Sequence, residues 1–261
     1  MFESILLGLA QGVFEWLPVS SEGVVVALMS AFSGTSTTTA IRYALWLHIG
    51  TCICAVIVFR YRLYDLLLQL WLVKSPLRNA EIRFLFIATI TSFSIGAVIL
   101  LTIEVMLKQV GVFAMAAVGA CMVVTGILQL KRRSNIRRKI THLTITDAII
   151  VGLAQGLAVV PGFSRSGFTV AALVWRGYGF KDCLELSMLM SIPASLGAAM
   201  VAAITLDLVF EFQMVVATVV AAGSGFFMMR TLLAFSQRAN LGVLVILSGV
   251  FMLAAGTLLS V

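Results

Sequence analysis

One sixteen-residue pattern occurs twice in this chain, and each copy breaks an apolar stretch with a proline and a polar turn. Gly8 to Gly23 reads GLAQGVFEWLPVSSEG and Gly152 to Gly167 reads GLAQGLAVVPGFSRSG, at a constant offset of 144 residues (152 minus 8) without a gap. A gapless duplication predicts two equivalent repeats, about 1–130 and 143–261, within a single membrane domain spanning 1–261. The medium follows from composition: 61% of residues are hydrophobic, 11% are charged and the mean hydropathy is +1.10, whereas soluble domains carry about 25% charge. Such a chain is an integral membrane protein. Neither interrupted segment, about 5–33 or 143–179, holds the roughly 20 unbroken apolar residues that a crossing helix needs, because Pro18 divides the first and Pro161, Gly162 and Arg165 divide the second. Both are expected to be re-entrant hairpins, whose tips must be shielded from lipid by protein or by a water-filled cavity.

Apolar runs at 43–59, 84–103, 110–130, 186–206, 212–229 and 241–261 predict six crossings. The first apolar run has no basic residues before it and is broken by Glu15 and Pro18, which excludes a signal peptide. The net charge of +7 does not point to nucleic acid. Eleven of the eighteen basic residues fall in two expected loops: Arg60, Arg62, Lys74, Arg78 and Arg83 in the first, then Lys131, Arg132, Arg133, Arg137, Arg138 and Lys139 in the second. The positive-inside rule puts both clusters in the cytoplasm, so 84–106 and 110–130 are expected to form a hairpin returning through Leu107, Lys108 and Gln109. The two broken segments then enter from opposite faces. The fold class expected is an all-α protein of inverted-topology repeats, six transmembrane helices plus two re-entrant hairpins, multi-pass in the plasma membrane. In proteins built this way, broken helices of both halves line the ligand site near the midplane. Cys52, Cys54, Cys121 and Cys183 sit in or beside apolar segments, without zinc-ligand spacing, and are read as packing residues.

The two copies differ in their polar residues. In the second, Ser164, Arg165 and Ser166 follow a Pro-Gly turn and precede an apolar stretch that can continue as a helix. Glycine at 162 admits close backbone approach, helix N-terminal N–H groups and hydroxyls donate, and arginine fits phosphate oxygens in bidentate fashion. A competing reading pairs Arg165 with Glu15 or Glu185 as glue between repeats. In the first copy, Gln11 and Glu15 lie one helical turn apart and share a face. The Glu15 carboxylate could hold a divalent cation, accept a proton from a nucleophile, or both. Ser20 and Ser21 follow the proline; a serine there serves as a helix cap or, beside a base, as a nucleophile. His48 and Glu185 are two further polar residues at membrane depth, each in need of a partner.

At these residues the chain resembles the undecaprenyl-diphosphate phosphatase family of the bacitracin-resistance type over essentially its whole length. The family's first motif, (E/Q)xxxE followed by PxSS, is matched by Gln11, Glu15, Pro18, Ser20 and Ser21. Its second, PGxSRSxxT, is matched by Pro161, Gly162, Ser164, Arg165, Ser166 and Thr169, and 185–198 resembles its SIPxxLGA segment. The resemblance implies a phosphatase that removes the terminal phosphate of a polyprenyl diphosphate lipid, with a divalent cation such as Mg2+ or Ca2+. Glu15, Ser21 and Arg165 would be catalytic, and Gln11, Ser20, Gly162, Ser164, Ser166 and Thr169 would bind substrate, with Glu15 and Gln11 holding the metal. Many members carry a histidine three residues after the second serine of the first motif; here Val24 stands in that place, and Glu22 or His48 would have to supply its chemistry. Partners are the lipid substrate and membrane lipids, with a homodimer left open. Either Ser21 or a metal-bound water would attack phosphorus. A lipid-phosphate transporter of the same fold, binding the head group without cleaving it, is the rival reading.

Overall fold

The computed structural model describes residues 1–131, 138–160, 163–205, 212–236, 243, 246–247, 250 and 253. Among the described residues the chain is helical and no strand is present; an isolated bridge joins Arg138 to Tyr178. The helices are α1 (Phe2–Phe14), α2 (Ser21–Ser33), α3 (Thr37–Leu72), α4 (Ala80–Lys131), α5 (Ile145–Leu157), α6 (Arg165–Trp175), α7 (Phe180–Thr205) and α8 (Phe212–Phe235). Among the described residues, four segments are long and apolar enough to cross a membrane: Thr38–Leu72, Ala80–Thr102, Phe180–Ile204 and Phe212–Phe235. α1 and α5 are 13 residues each, about 20 Å at 1.5 Å per residue, against ~30 Å of hydrocarbon.

Two helix lengths differ from the sequence expectation. α4 runs unbroken for 52 residues, so the expected turn at Leu107–Gln109 is absent and 110–130 is no separate crossing. Leucine, lysine and glutamine are all good helix formers, and nothing at that point ends a helix. α3 likewise continues beyond Phe59 to Leu72 through a leucine-rich run, so Arg60 and Arg62 are helical rather than in a loop. Arg132, Arg133 and Arg137, and most of the sixth expected crossing at 241–261, lie outside the described residues.

The chain divides into two compact units, Met1–Val73 with Met188–Ala234, and Lys74–Ser187 with Phe235–Val261. In the first unit, Leu7, Val25, Met29, Ala44, Leu47, Met214 and Ala217 form a buried core. Where lipid is as apolar as leucine, helices associate through close packing, and the repeated GLAQG supplies it. A Cβ on Gly8 would sit 2.4 Å from Ala217 O, and one on Gly12 would sit 2.1 Å from Ser224 Oγ and 2.5 Å from Ala221 O, so α1 lies directly on α8. In the second unit the same two positions do the same work against α4: a Cβ on Gly152 would come within 2.7 Å of Ala88 O, and one on Gly156 within 2.7 Å of Ile95 Cβ. The duplicated pentapeptide is thus a small-xxx-small packing face, with a buried glutamine one residue before its second glycine.

Each half-length hairpin is clasped at its base. In the first unit Ser33 Oγ, at the end of α2, donates to Glu3 in the first turn of α1. In the second, Asp147 in the first turn of α5 (147 minus 144 is 3) takes an Arg176 Nε hydrogen bond from just past α6.

Candidate active site

The first hairpin ends α1 at Phe14, and Glu15 is its C-cap, with its N–H bonded to Gln11 O. Pro18 lies in the turn that follows. Ser20 then caps α2, its side chain accepting from Gly23 N at 3.1 Å, and Ser21 becomes the first residue of α2. This chain path folds three polar groups onto one oxygen. Ser21 Oγ donates to Glu15 Oε2 at 2.7 Å, Gln11 Nε2 donates to the same oxygen at 3.1 Å, and His48 Nε2, from α3, lies 3.4 Å from it. Glu22 Oε1 is 3.9 Å from the same imidazole nitrogen. Gln11, Glu15, Ser20, Ser21 and His48 are all buried. A hydroxyl so close to a carboxylate is placed to give up its proton as it attacks an electrophile.

The cation expected from the sequence can be tested against these residues. Gln11 Oε1 is a buried acceptor that takes no hydrogen bond from the described residues, on the side chain whose amide nitrogen already bonds Glu15. An oxygen without a donor beside a carboxylate suits a hard cation. Among the described residues no group of three or more His, Cys, Asp or Glu side chains could hold a metal ion.

In the second unit the turn is built on the same plan. Ser164 caps α6, accepting from Gly167 N at 3.2 Å, and lies 3.2 Å from Ser166 Oγ. Arg165 occupies the first position of α6, and its Nη1 donates to Ser187 O at 3.2 Å. Thr169 is fully buried; it donates to Arg165 O at 2.9 Å and meets Ser187 Oγ at 2.6 Å. The expected cradle residues Ser164, Arg165, Ser166 and Thr169 therefore share one end of α6, tied to α7 through Ser187. Pro161 and Gly162 lie outside the described residues. Glu185, partly buried on α7, pairs with Lys181 Nζ at 3.7 Å. Val24, half-buried on α2, offers no polar atom.

The sequence reading missed the cluster at the foot of the second hairpin. Asp147, fully buried, takes both Nη atoms of Arg138 at 3.2 and 3.1 Å, Arg176 Nε, Tyr178 Oη at 2.6 Å, and Thr144 N and Oγ1 at 2.9 and 2.7 Å. Burial by itself would raise this carboxyl's pKa, but the hydrogen bonds from Thr144, Tyr178 and Arg176 outweigh it and hold it well below the ordinary range. One local signal was present: Thr144 and Asp147 form a capping box at the start of α5.

Comparison with known proteins adds a second line of observation. The family model described as bacitracin resistance protein BacA matches residues 4–255. A protein of Methanococcoides burtonii is 39% identical over 204 residues, covering 75% of this chain and 76% of the relative. One of Saccharolobus solfataricus is 33% identical over 267 residues, covering 97% and 95%, and one of Carboxydothermus hydrogenoformans is 32% identical over 201 residues, covering 76% and 71%. Each of the three carries the name undecaprenyl-diphosphatase.

Proposed function

This chain belongs to the bacitracin resistance protein BacA family, and from that premise we propose that it is a polyprenyl-diphosphate phosphatase, releasing phosphate from an undecaprenyl-type diphosphate to leave the monophosphate lipid carrier. The observation that carries the chemistry is the 2.7 Å hydrogen bond from Ser21 Oγ to Glu15 Oε2. Ser21 attacks the terminal phosphorus while its proton passes to Glu15. The bridging P–O bond breaks, and the polyprenyl monophosphate leaves. Water then cleaves the phosphoserine, releasing phosphate and restoring the hydroxyl. Arg165, with the hydroxyls of Ser164 and Ser166, offsets the charge that shifts toward the leaving phosphate. Ser20, Gly162 and Thr169 complete the proposed substrate-binding set. Glu15 and Gln11 would hold the divalent cation, which supplies charge neutralisation on the phosphate oxygens when bound.

The finer architecture belongs to the same reading: two re-entrant hairpins inserted in inverted orientation in the plasma membrane. Its support is the gapless repeat and the half-length of α1 and α5. The names carried by the relatives favour hydrolysis over the transporter reading. Phosphate release from a short-chain polyprenyl diphosphate in detergent, with Mg2+ present, tests the assignment. Glu15→Gln, Ser21→Ala and Arg165→Ala should each lower kcat by roughly 100-fold or more. Wild-type turnover in all three would overturn it, as would transfer of labelled lipid phosphate across liposomes without any phosphate release.

A further inference from the structure

We propose that His48 is a positioning residue for Glu15, fixing from a membrane-spanning helix the direction in which the carboxylate faces the Ser21 hydroxyl. The inference rests on the phosphatase reading and deepens it. Glu15, Gln11 and Ser21 all belong to the short α1–α2 hairpin, whereas His48 belongs to α3, which is long enough to cross the membrane. The imidazole itself is held firmly. Its Nδ1 lies 3.0 Å from Ala44 O, and a carbonyl oxygen only accepts, so Nδ1 carries the proton and donates. That leaves Nε2 as the ring atom facing Glu15 Oε2 at 3.4 Å, with Glu22 Oε1 at 3.9 Å as the other carboxylate oxygen near it.

With Nδ1 anchored on Ala44 O, Nε2 stands at a fixed point on α3, 3.4 Å from the Glu15 oxygen to which Ser21 and Gln11 donate. The imidazole thus bounds the buried carboxylate from a side that its own hairpin does not supply. Polar contacts from three places on the chain define a carboxylate orientation more sharply than two from its own hairpin. Orientation matters here because a misplacement of about 1 Å at a reacting group can lower a rate ~100-fold. Val24, one helical turn beyond Ser21, carries only methyl groups and cannot share this task.

Kinetics of the full-length protein in detergent, with a short-chain polyprenyl diphosphate and Mg2+, provide the test. His48→Ala should lower kcat by roughly 10- to 100-fold, while KM stays within about threefold of wild type, because binding is left intact and only the attack geometry is lost. His48→Gln, whose amide N–H can reach the same carboxylate, should recover roughly tenfold of that loss. A role confined to packing would instead lower the melting temperature and leave kcat per folded molecule unchanged. Should His48→Ala fail to fold, His48→Leu, which fills the space without a donor, takes its place in the comparison. Wild-type kcat in the apolar variant overturns the proposal, and so does a His48→Gln variant no faster than it. A wild type that releases no phosphate overturns the phosphatase reading first and this proposal with it, so the two failures are told apart by the unmutated protein.

Discussion

Asp147→Asn is the sharpest probe of how the second hairpin is held, because the substitution keeps the shape of the side chain and removes only its charge and half its acceptors. The carboxylate is fully buried and receives six hydrogen bonds, from Arg138 twice, Arg176, Tyr178 and Thr144 twice. In the variant an NH2 group faces donors, and two guanidiniums lose their counter-charge. Removing one member of a buried ion pair costs about 3–5 kcal/mol. The arginines are 29% and 28% exposed, so water softens the loss and the lower end, about 3 kcal/mol, is expected. At about 2–4 °C per kcal/mol for a chain of this size, the melting temperature should fall by roughly 6–12 °C. Thermal unfolding in detergent, followed by tryptophan fluorescence, measures it. The pH dependence adds a second check. A carboxyl whose pKa is depressed in the folded state stabilises fully above its unfolded value, about 3.9, and loses that contribution only as pH falls through the folded one. The difference between wild type and variant should therefore stay constant from pH 5 to 8, within the flat region, and narrow only in stronger acid. A shift under about 2 °C at neutral pH, below what even 1 kcal/mol would give, would refute the clasp.

Two further outcomes follow from the packing and from the residues outside the site. Gly12→Ala forces a Cβ against Ser224 Oγ at 2.1 Å and Ala221 O at 2.5 Å, so it should destabilise by roughly 1–3 kcal/mol, whereas Gly223→Ala, with nothing within 4 Å of its Cβ, should leave the melting temperature unchanged or raise it; equal melting temperatures for the two variants would contradict the GLAQG packing. Lys181→Ala removes the 52% exposed end of the i,i+4 ion pair with Glu185 and should lower the melting temperature by no more than about 1 °C, since such pairs contribute only a few tenths of a kcal/mol; a fall above about 4 °C would show that the pair does more than a solvent-screened contact can.

What could be read from the sequence and what could not divides along the range of the interactions. The hairpins were legible because their signals are local: a proline or Pro-Gly, a serine cap, and an apolar run too short to cross. The Glu15–Gln11 contact was legible because four residues make one helical turn. The length of α4 was not, since charge clusters at 60–83 and 131–139 argue for a return between them while Leu107, Lys108 and Gln109 do nothing locally to make one. The Asp147 clasp was hidden because Arg138, Arg176 and Tyr178 reach it from separate stretches, up to 31 residues away. The repeat itself carried more than its shared letters showed. At the 144-residue offset Ser20 and Ser164 occupy the same place, and both cap a helix; Ser21 and Arg165 also occupy the same place, and each is the first residue of the helix so capped. A cap fixes the backbone of the residue after it, because its side chain is bonded to an N–H farther along. The duplication thus supplies two copies of one rigid mount. On the first sits a hydroxyl that donates to a carboxylate, and on the second a guanidinium that stays charged. The proposed division of labour between nucleophile and anion-binding group then rests on Ser21 against Arg165 on the two mounts and on Glu15 against Val159 before them, so exchanging Ser21 and Arg165 should abolish phosphate release while leaving both caps and both hairpins folded. Retained turnover in the exchanged protein would show that the turns, rather than the side chains they present, carry the function.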